Sequence, residues 1–149
     1  FPGVEHRAEL VRELDGVRYY NDSIATTPSR TISGTLSLFD QKIIIILGGY
    51  DKKIPFDPLG PVVAKKVKAA ILMGATAPKI EAAITGCPEY SAGNPEIYHV
   101  QNLEEAVALA HRLAKQGDIV SLSPACASFD QFPNYETRGD RFRDYVRAL

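Results

Sequence analysis

The apolar residues of this chain follow two spacings. Short runs at residues 42–47, 67–73 and 118–122 are mostly Ile, Val, Leu and Ala, as parallel strands covered on both faces are. Other segments place apolar residues every three or four positions, which is the spacing of a helix with one buried face; residues 102–115 show it most clearly. Because the two kinds of segment alternate, the pattern predicts right-handed crossovers that build a mostly parallel sheet.

The beginning of the chain departs from this alternation. Residues 5–14 and 17–20 both have the composition of strands, and Asp15-Gly16 between them favours a tight turn because both residues tolerate positive φ. This pattern predicts an antiparallel hairpin. The fold class predicted for the chain is therefore α/β: a Rossmann-like, mostly parallel sheet of about six strands with helices on both faces, opening with an antiparallel hairpin.

The remaining elements follow from capping signals and periodicity. Thr27 is the expected N-cap of a helix with Pro28 in its first turn, and Ile32, Leu36 and Phe39 continue it at helical spacing. Further helices are predicted at residues 57–66, 77–85, 102–115 and 135–149, and a short strand at residues 97–100.

Length and composition indicate one domain, at residues 1–149. With 45% hydrophobic residues, a chain of 149 residues can bury one ordinary core but hardly two. Its longest apolar run, at residues 43–47, is far shorter than the roughly 20 residues that a membrane span requires. The formal net charge is -1 and the Lys and Arg residues are scattered, so neither nucleic acid nor a membrane is an expected partner.

The cysteines and histidines indicate neither a disulfide nor a metal site. Cys87 and Cys126 lie in dissimilar contexts, which favours a reducing, cytoplasmic location, and we expect a monomer. Cys126 precedes a predicted helix start, which could lower its pKa, but no histidine is placed as its base; we interpret it as a thiol selected for its small size. His99 and His111 have no partners at metal-ligand spacing, so no metal site is predicted.

Small and polar residues are concentrated where the predicted strands end. The segments at residues 21–27, 48–53, 74–75 and 123–132 each follow a strand. Parallel strands gather their carboxyl ends along one edge of a sheet, and open α/β sheets bind ligands at this edge. The sequence therefore predicts a ligand site formed by these four loops.

The loop at residues 48–53 has a glycine pair and a lysine. Gly48 and Gly49 permit a sharp turn, and Lys52 could present a positive charge to a carboxylate or phosphate. The alternative is an ordinary strand-ending loop with a solvated lysine, since the phosphate-binding pattern Gly-x-x-x-x-Gly-Lys-Ser/Thr is not present here.

The first part of the chain supplies further polar candidates. Asp22, which follows Asn21, could accept hydrogen bonds from a ribose, and Thr26 could face an anion at the helix start. The alternative is that these polar groups only cap the helix. Arg7, after His6, could pair bidentately with a phosphate, although a surface strand that carries His-Arg is also ordinary.

A longer motif gives this site a family resemblance. Residues 123–132 read Ser-Pro-Ala-Cys-Ala-Ser-Phe-Asp-Gln-Phe and closely resemble the C-terminal signature of the D-glutamate-adding branch of the Mur ligase family. Other branches of the family do not resemble this segment. The likeness continues, in order and spacing, at His6-Arg7, Asp15-Gly16-Val17, Asn21-Asp22-Ser23 with Ala25-Thr26, Leu47-Gly48-Gly49 with Lys52, Gly117-Asp118, Asn134 and Gly139.

The resemblance implies a reaction for the parent enzyme. Such an enzyme couples ATP hydrolysis to an amide bond between UDP-N-acetylmuramoyl-L-alanine and D-glutamate in peptidoglycan synthesis, through an acyl phosphate. ATP and Mg²⁺ act in the full-length enzyme, and this domain alone holds no cofactor. Its partner would be the central ATPase domain of the same polypeptide.

The resemblance also assigns roles to residues, and it names no certain catalytic residue in this domain. Lys52 would pair with one carboxylate of D-glutamate, and Ser128 with the Phe129 backbone would hold the other. Thr26 and Tyr135 would complete that pocket. The residues implied in nucleotide binding are His6, Arg7, Asn21 and Asp22.

Two departures and two alternatives accompany the resemblance. Many family members have a lysine where this chain has Ile24, and Arg30 could replace its phosphate contact. Pro133 replaces a residue that is often polar, which should matter little. The first alternative is a stand-alone Rossmann-like module that binds a nucleotide or a dicarboxylate. The second is a sister ligase that adds another amino acid.

We expect the 149 residues alone to fold and to catalyse nothing. The sequence contains no phosphate-binding loop, no Mg²⁺-binding acids in a recognisable context and no UDP-sugar domain. An ATP hydrolysis assay with both substrates present should therefore give the rate of a protein-free control. ATP turnover by this chain would contradict the expectation.

Overall fold

Six strands form one sheet, and the computed structural model describes residues 4–149 of the chain. Across the sheet the order is β1-β2-β6-β3-β4-β5. Only β1 and β2 pair antiparallel; the other four pairs are parallel. The strands are β1 Glu9–Leu14, β2 Val17–Asn21, β3 Ile43–Leu47, β4 Val67–Leu72, β5 Glu96–His99 and β6 Ile119–Leu122. The predicted fold class is confirmed.

Helices connect the parallel strands and cover both faces of the sheet. They are α1 Pro28–Ser33, α2 Thr35–Leu38, α3 Leu59–Lys66, α4 Ala77–Thr85, α5 Leu103–Leu113 and α6 Tyr135–Arg147. Asn102 and Asn134 cap the starts of α5 and α6 with their side chains. Within residues 4–149, none of these helices has the length and apolar character needed to cross a membrane.

The opening hairpin turns where the sequence predicts. Asp15 and Gly16 have φ values of 53° and 79°, the left-handed region that a tight two-residue turn between antiparallel strands requires. Leu14 pairs with Val17 across the turn. The hairpin places β2 beside β6, so the first segment of the chain joins the edge of the parallel sheet.

The central strand β3 is buried on both faces. Ile43, Ile45 and Leu47 pack into the core layer that contains α3 and α4, whereas Ile44 and Ile46 pack into the layer that contains α5 and α6. Successive side chains of a strand point to opposite faces, so only a continuous apolar run can fill both layers. Burying each of these side chains stabilises the fold by about 1.5–3 kcal/mol.

Two predicted elements differ from the structure near the candidate site. The helix predicted from Thr27 through Phe39 is divided at Gly34, whose φ of -89° and ψ of -109° are not helical. The carboxylate of Asp22 lies beside Gly34, where a Cβ atom would be 3.0 Å from Asp22 Oδ2. The strand predicted from residue 5 begins at Glu9, because His6 and Ala8 have positive φ values of 63° and 45°.

The other boundaries differ by a few residues. The helix predicted at 57–66 begins at Leu59, after a turn at residues 57–58, and its N-cap residue Pro58 makes no side-chain capping bond. The strand predicted at 97–100 is β5, Glu96–His99, and the last two predicted helices end earlier, at Leu113 and Arg147. Such shifts are small compared with the element itself, since helix and strand ends fray.

The loop after β3 depends on Gly48. A Cβ atom there would lie 1.9 Å from the carbonyl oxygen of Met73, and φ is +116°. Gly48→Ala should therefore destabilise the fold by about 3–5 kcal/mol or prevent folding, since it adds a backbone clash to the strain of positive φ. Urea unfolding of the purified chain measures the change.

Gly117→Ala is the matched control for this substitution. Gly117 also has a positive φ, +92°, but a Cβ atom there would meet nothing within 4 Å. Its cost should be limited to about 1–2 kcal/mol of backbone strain. Equal losses of unfolding free energy in the two variants would contradict a backbone clash at position 48.

Candidate functional site

The loops that follow β2, β3 and β6 lie side by side because β6 is between β2 and β3 in the sheet. Backbone hydrogen bonds join them: the amide of Ala125 donates to Ala25 (2.9 Å), and the amide of Tyr50 donates to Ala127 (2.9 Å). The loop at residues 123–134 is thus in contact with both of its neighbours. This is the edge of the sheet where the sequence predicts a ligand site.

One cavity of about 370 Å³ opens between these loops, and we call it the Lys52 pocket. The five residues expected to bind D-glutamate all line it, although they come from three separate segments of the chain. The lining consists of Thr26, Lys52, Ala127, Ser128, Phe129, Asn134, Tyr135 and Glu136. The structure therefore brings this part of the predicted site together.

Two polar groups in the Lys52 pocket have no side-chain partner within the described chain. The side chain of Ser128 is 2% exposed, and its hydroxyl has no hydrogen-bond partner among residues 4–149. Lys52 is exposed and forms no ion pair with an acid of the described chain. A buried hydroxyl without a partner costs about 1–3 kcal/mol, so a group that bonds to it from the pocket would recover this free energy.

An aromatic pair stands at the rim of the Lys52 pocket. The rings of Tyr50 and Phe129 meet edge to face with centroids 5.7 Å apart, and their side chains are 44% and 63% exposed. Phe129 is thus exposed in its side chain while its backbone follows the buried Ser128. The expected contact between the Phe129 backbone and a ligand stays a prediction.

A second cavity of about 370 Å³ lies on the other side of the loop that follows β2, and we call it the Asp22 pocket. Its lining consists of Arg7, Asp22, Ile24, Ala25, Arg30, Ser33 and Gly34. The exposed guanidinium groups of Arg7 and Arg30 make it suitable for an anion. Ile24 and Arg30 both line this pocket. Arg30 is thus placed where it could replace the phosphate contact of the lysine that many family members have at the position of Ile24.

Asp22 is largely occupied within the protein. Its side chain is 2% exposed; Ser123 Oγ and Thr35 Oγ1 donate to Oδ2 at 2.7 and 2.8 Å, and the amide of Ala8 donates to Oδ1 at 3.1 Å. Burial raises the pKa of this carboxyl, although the hydrogen bonds oppose the shift. Asp22 therefore joins four segments, and little of its carboxylate remains for a ligand.

His6 and Asn21 are close to the Asp22 pocket but do not line it. Asn21 is fully buried, accepts from the amide of Ser23 at 3.1 Å, and donates from Nδ2 to His6 Nδ1 at 3.0 Å. This bond leaves His6 Nε2 to carry the proton, 3.4 Å from Glu5. Both residues fix the segment that carries Arg7, and neither reaches the cavity in this structure.

An acidic group near His6 gives no metal site. Ligand atoms of Glu5, His6 and Asp140 lie within 4.8 Å of one another. Arg143, however, donates to both acids at 2.9 Å, so its guanidinium already supplies the positive charge there. Asp22 already accepts three hydrogen bonds within the protein, so the donor sets of these two sites do not fit Mg²⁺, which prefers several free oxygen ligands.

Sequence reasoning missed Arg138, which is 1% exposed. Its guanidinium donates to Ser23 Oγ, Ser23 O and Cys126 O at 2.9, 2.8 and 2.9 Å. Burial lowers its pKa to about 10, so it stays charged at neutral pH. The sequence carries no local signal of this burial, because an arginine in a helix shows the same pattern whether it is buried or exposed.

Cys126 is a structural residue, as its small neighbours indicate. Its thiol is 2% exposed and lies 3.2 Å from Thr76 Oγ1. Burial raises the pKa of the thiol to about 11, so it is protonated at neutral pH. A thiol in this state does not act as a nucleophile, and the interpretation from the sequence agrees with the structure.

Comparison with known proteins gives a family and close relatives. The family described as Mur ligase, glutamate ligase domain matches residues 6–126. UDP-N-acetylmuramoylalanine--D-glutamate ligase of Acetivibrio thermocellus is 56% identical over 151 residues, and that of Clostridium beijerinckii is 54% identical over 149 residues. Each alignment covers 100% of this chain but 32% of the relative, so the chain spans about a third of the length of these relatives.

Solved structures share the fold at low sequence identity. The murein peptide ligase of Psychrobacter arcticus has a TM-score of 0.65 at 16% identity, covering 100% of this chain and 31% of that one. The UDP-N-acetylmuramate-alanine ligase of Thermotoga maritima has a TM-score of 0.64 at 12% identity, covering 99% and 31%. FolC of E. coli in complex with ADP has a TM-score of 0.63 at 16% identity, covering 98% and 33%.

The buried carboxyl of Asp22 predicts a pH-dependent stability. Its pKa in the folded chain lies above its ordinary value of 3.8, so the folded state holds the proton more tightly than the unfolded state does. As pH rises through this window, Asp22 loses its proton and the wild type loses stability. Asp22→Asn cannot ionise, so it should gain stability relative to the wild type as pH rises from 3.8 to neutral.

Urea unfolding of both proteins between pH 4 and pH 8 measures this difference. Asp144→Asn, at an exposed position of α6, controls for the loss of a carboxylate as such. A constant difference between Asp22→Asn and the wild type over this range would contradict the prediction.

Proposed function

Because the chain belongs to the Mur ligase family, whose glutamate ligase domain it matches, we propose that it binds D-glutamate and part of ATP in a D-glutamate-adding ligase. The relatives at 54–56% identity are named UDP-N-acetylmuramoylalanine--D-glutamate ligase. This domain would occupy the C-terminal third of the full-length enzyme, after a UDP-binding and a central ATPase domain. The enzyme would act in the cytoplasm, as a monomer, in peptidoglycan synthesis.

The unpartnered hydroxyl of Ser128 in the Lys52 pocket carries this proposal. D-Glutamate has two carboxylates, so its site needs a cation and fixed donors that face a sheltered cavity. Lys52 would pair with one carboxylate, and Ser128 Oγ with the Phe129 amide would bind the other. Thr26 and Tyr135 would complete the walls.

The nucleotide would bind in the Asp22 pocket. Arg7 and Arg30 would contact its phosphates. Asp22 would hold the pocket in shape and offer its remaining lone pair to the ribose, while His6 and Asn21 would support Arg7 from behind. The loop at residues 22–27 separates the two pockets, since Ala25 lines one and Thr26 the other.

This arrangement would bring the amine of D-glutamate close to the phosphate end of ATP. In the proposed reaction the carboxylate of UDP-N-acetylmuramoyl-L-alanine attacks the γ-phosphate, which gives an acyl phosphate and ADP. The amine of D-glutamate then attacks the acyl carbon, and phosphate leaves. Residues of this domain would orient the amine and the phosphates, an effect of proximity worth several kcal/mol. Mg²⁺ would bind with ATP outside this domain.

The role of Lys52 is testable in the full-length ligase. Lys52→Ala should raise KM for D-glutamate about 10- to 100-fold with little change in KM for ATP, since one charge-assisted hydrogen bond is lost. Ser128→Ala should raise the same KM by a smaller factor, about 3- to 10-fold. Steady-state kinetics with each substrate varied gives these values.

Lys65→Ala serves as the control, because Lys65 is exposed on α3 and lines neither pocket. Its KM values should match those of the wild type. An unchanged KM for D-glutamate in Lys52→Ala would remove Lys52 from this role. If the wild type uses another amino acid better than D-glutamate, and Lys52→Ala raises KM for that amino acid, the chain belongs to a sister ligase.

A further inference from the structure

An acid precedes the lysine of the Lys52 pocket. Asp51, which is half-buried, lies next to the exposed Lys52 in the loop after β3, and two opposite charges on adjacent residues would tend to neutralise each other. In the structure, however, the carboxylate of Asp51 is bound elsewhere. Its Oδ2 accepts from Lys79 Nζ at 2.5 Å, and its Oδ1 accepts from the backbone amide of Lys53 at 2.8 Å.

The hydrogen bond from Lys79 is the main contact of this carboxylate with a cation. It lowers the pKa of Asp51, so the acid is charged and held at neutral pH. The ammonium of Lys53 is 3.7 Å from Oδ2, and its side chain is 81% exposed, so its attraction is weaker and more screened. Lys79 is therefore the nearest cation to the carboxylate of Asp51.

The fold places Lys79 for this contact. Lys79 is in the first turn of α4, and the residue before that helix, Thr76, is hydrogen-bonded to the loop after β3. Thr76 Oγ1 accepts from the amide of Gly49 at 3.0 Å, and the amide of Thr76 donates to Gly49 O at 3.3 Å. The start of α4 and the loop that carries Asp51 are thus held together by the backbone.

We propose that Lys79 is a positioning residue that keeps Asp51 away from Lys52, so that the ammonium of Lys52 stays available to the substrate carboxylate. The inference rests on the proposed function, because it acts through the Lys52 pocket. Without Lys79, the carboxylate of Asp51 would compete with D-glutamate for Lys52 and would repel the incoming carboxylate. Both effects weaken binding of the amino acid and leave ATP binding unaffected.

Kinetics of the full-length ligase tests the proposal. Lys79→Gln should raise KM for D-glutamate about three- to fivefold, the size expected for an exposed charge pair, with kcat and KM for ATP within twofold of the wild type. Lys79→Arg keeps the charge and should stay within twofold of the wild type throughout. Lys65→Gln removes the same charge from an exposed position of α3 and should change nothing.

The double variant Asp51→Asn with Lys79→Gln separates positioning from mere structural support. It removes the competing acid as well, so KM for D-glutamate should return to within twofold of the wild-type value. A structural role of Lys79 would leave the double variant as impaired as Lys79→Gln. That result, or an unchanged KM in Lys79→Gln, would overturn the proposal.

Lys52→Ala in the same series distinguishes this inference from the proposed function. If Lys52→Ala raises KM for D-glutamate and Lys79→Gln does not, only the positioning role of Lys79 is wrong. If Lys52→Ala leaves KM unchanged, Lys52 does not bind the amino acid, and both proposals fall together.

Discussion

The candidate site depends on the buried guanidinium of Arg138. It binds the carbonyl oxygens of Ser23 and Cys126 and the hydroxyl of Ser23, and so connects α6 with the loops after β2 and β6. No acid forms a salt bridge with it among the described residues, so these two carbonyl groups and the Ser23 hydroxyl offset the cost of burying its charge. Loss of these bonds would leave buried carbonyls unpaired, at about 1–3 kcal/mol each.

The strand order places the loops that Arg138 connects next to the two cavities. Because β6 is between β2 and β3, the loop after β6 has a neighbour on each side, and two cavities open where these loops separate. The loop at residues 22–27 forms the wall between them. An anion in one cavity and an amino acid in the other would therefore be only a loop apart, as attack of an amine on the carbonyl carbon of an acyl phosphate requires.

Two acidic side chains near the site are bound by the protein, whereas the basic side chains that line the cavities form no ion pair within the described chain and are free to bind an anion. Asp22 and Asp51 are held by donors of the protein, whereas Lys52, Arg7 and Arg30 face the cavities. A site arranged in this way does not have to break internal ion pairs before it binds an anionic ligand. Such preorganisation increases affinity because less reorganisation is needed on binding.

The sequence by itself determined the sheet and most helices, and it indicated five of the eight residues that line the Lys52 pocket. Continuous apolar runs, the turn at Asp15-Gly16 and the motif at residues 123–132 are local signals, because backbone preference and side-chain spacing act over a few residues. Tertiary structure alone decided the break at Gly34, the burial of Arg138 and the pairing of Asp51 with Lys79. These features join residues that are distant in the chain, and a polar side chain has the same local pattern whether it binds a ligand or another part of the protein.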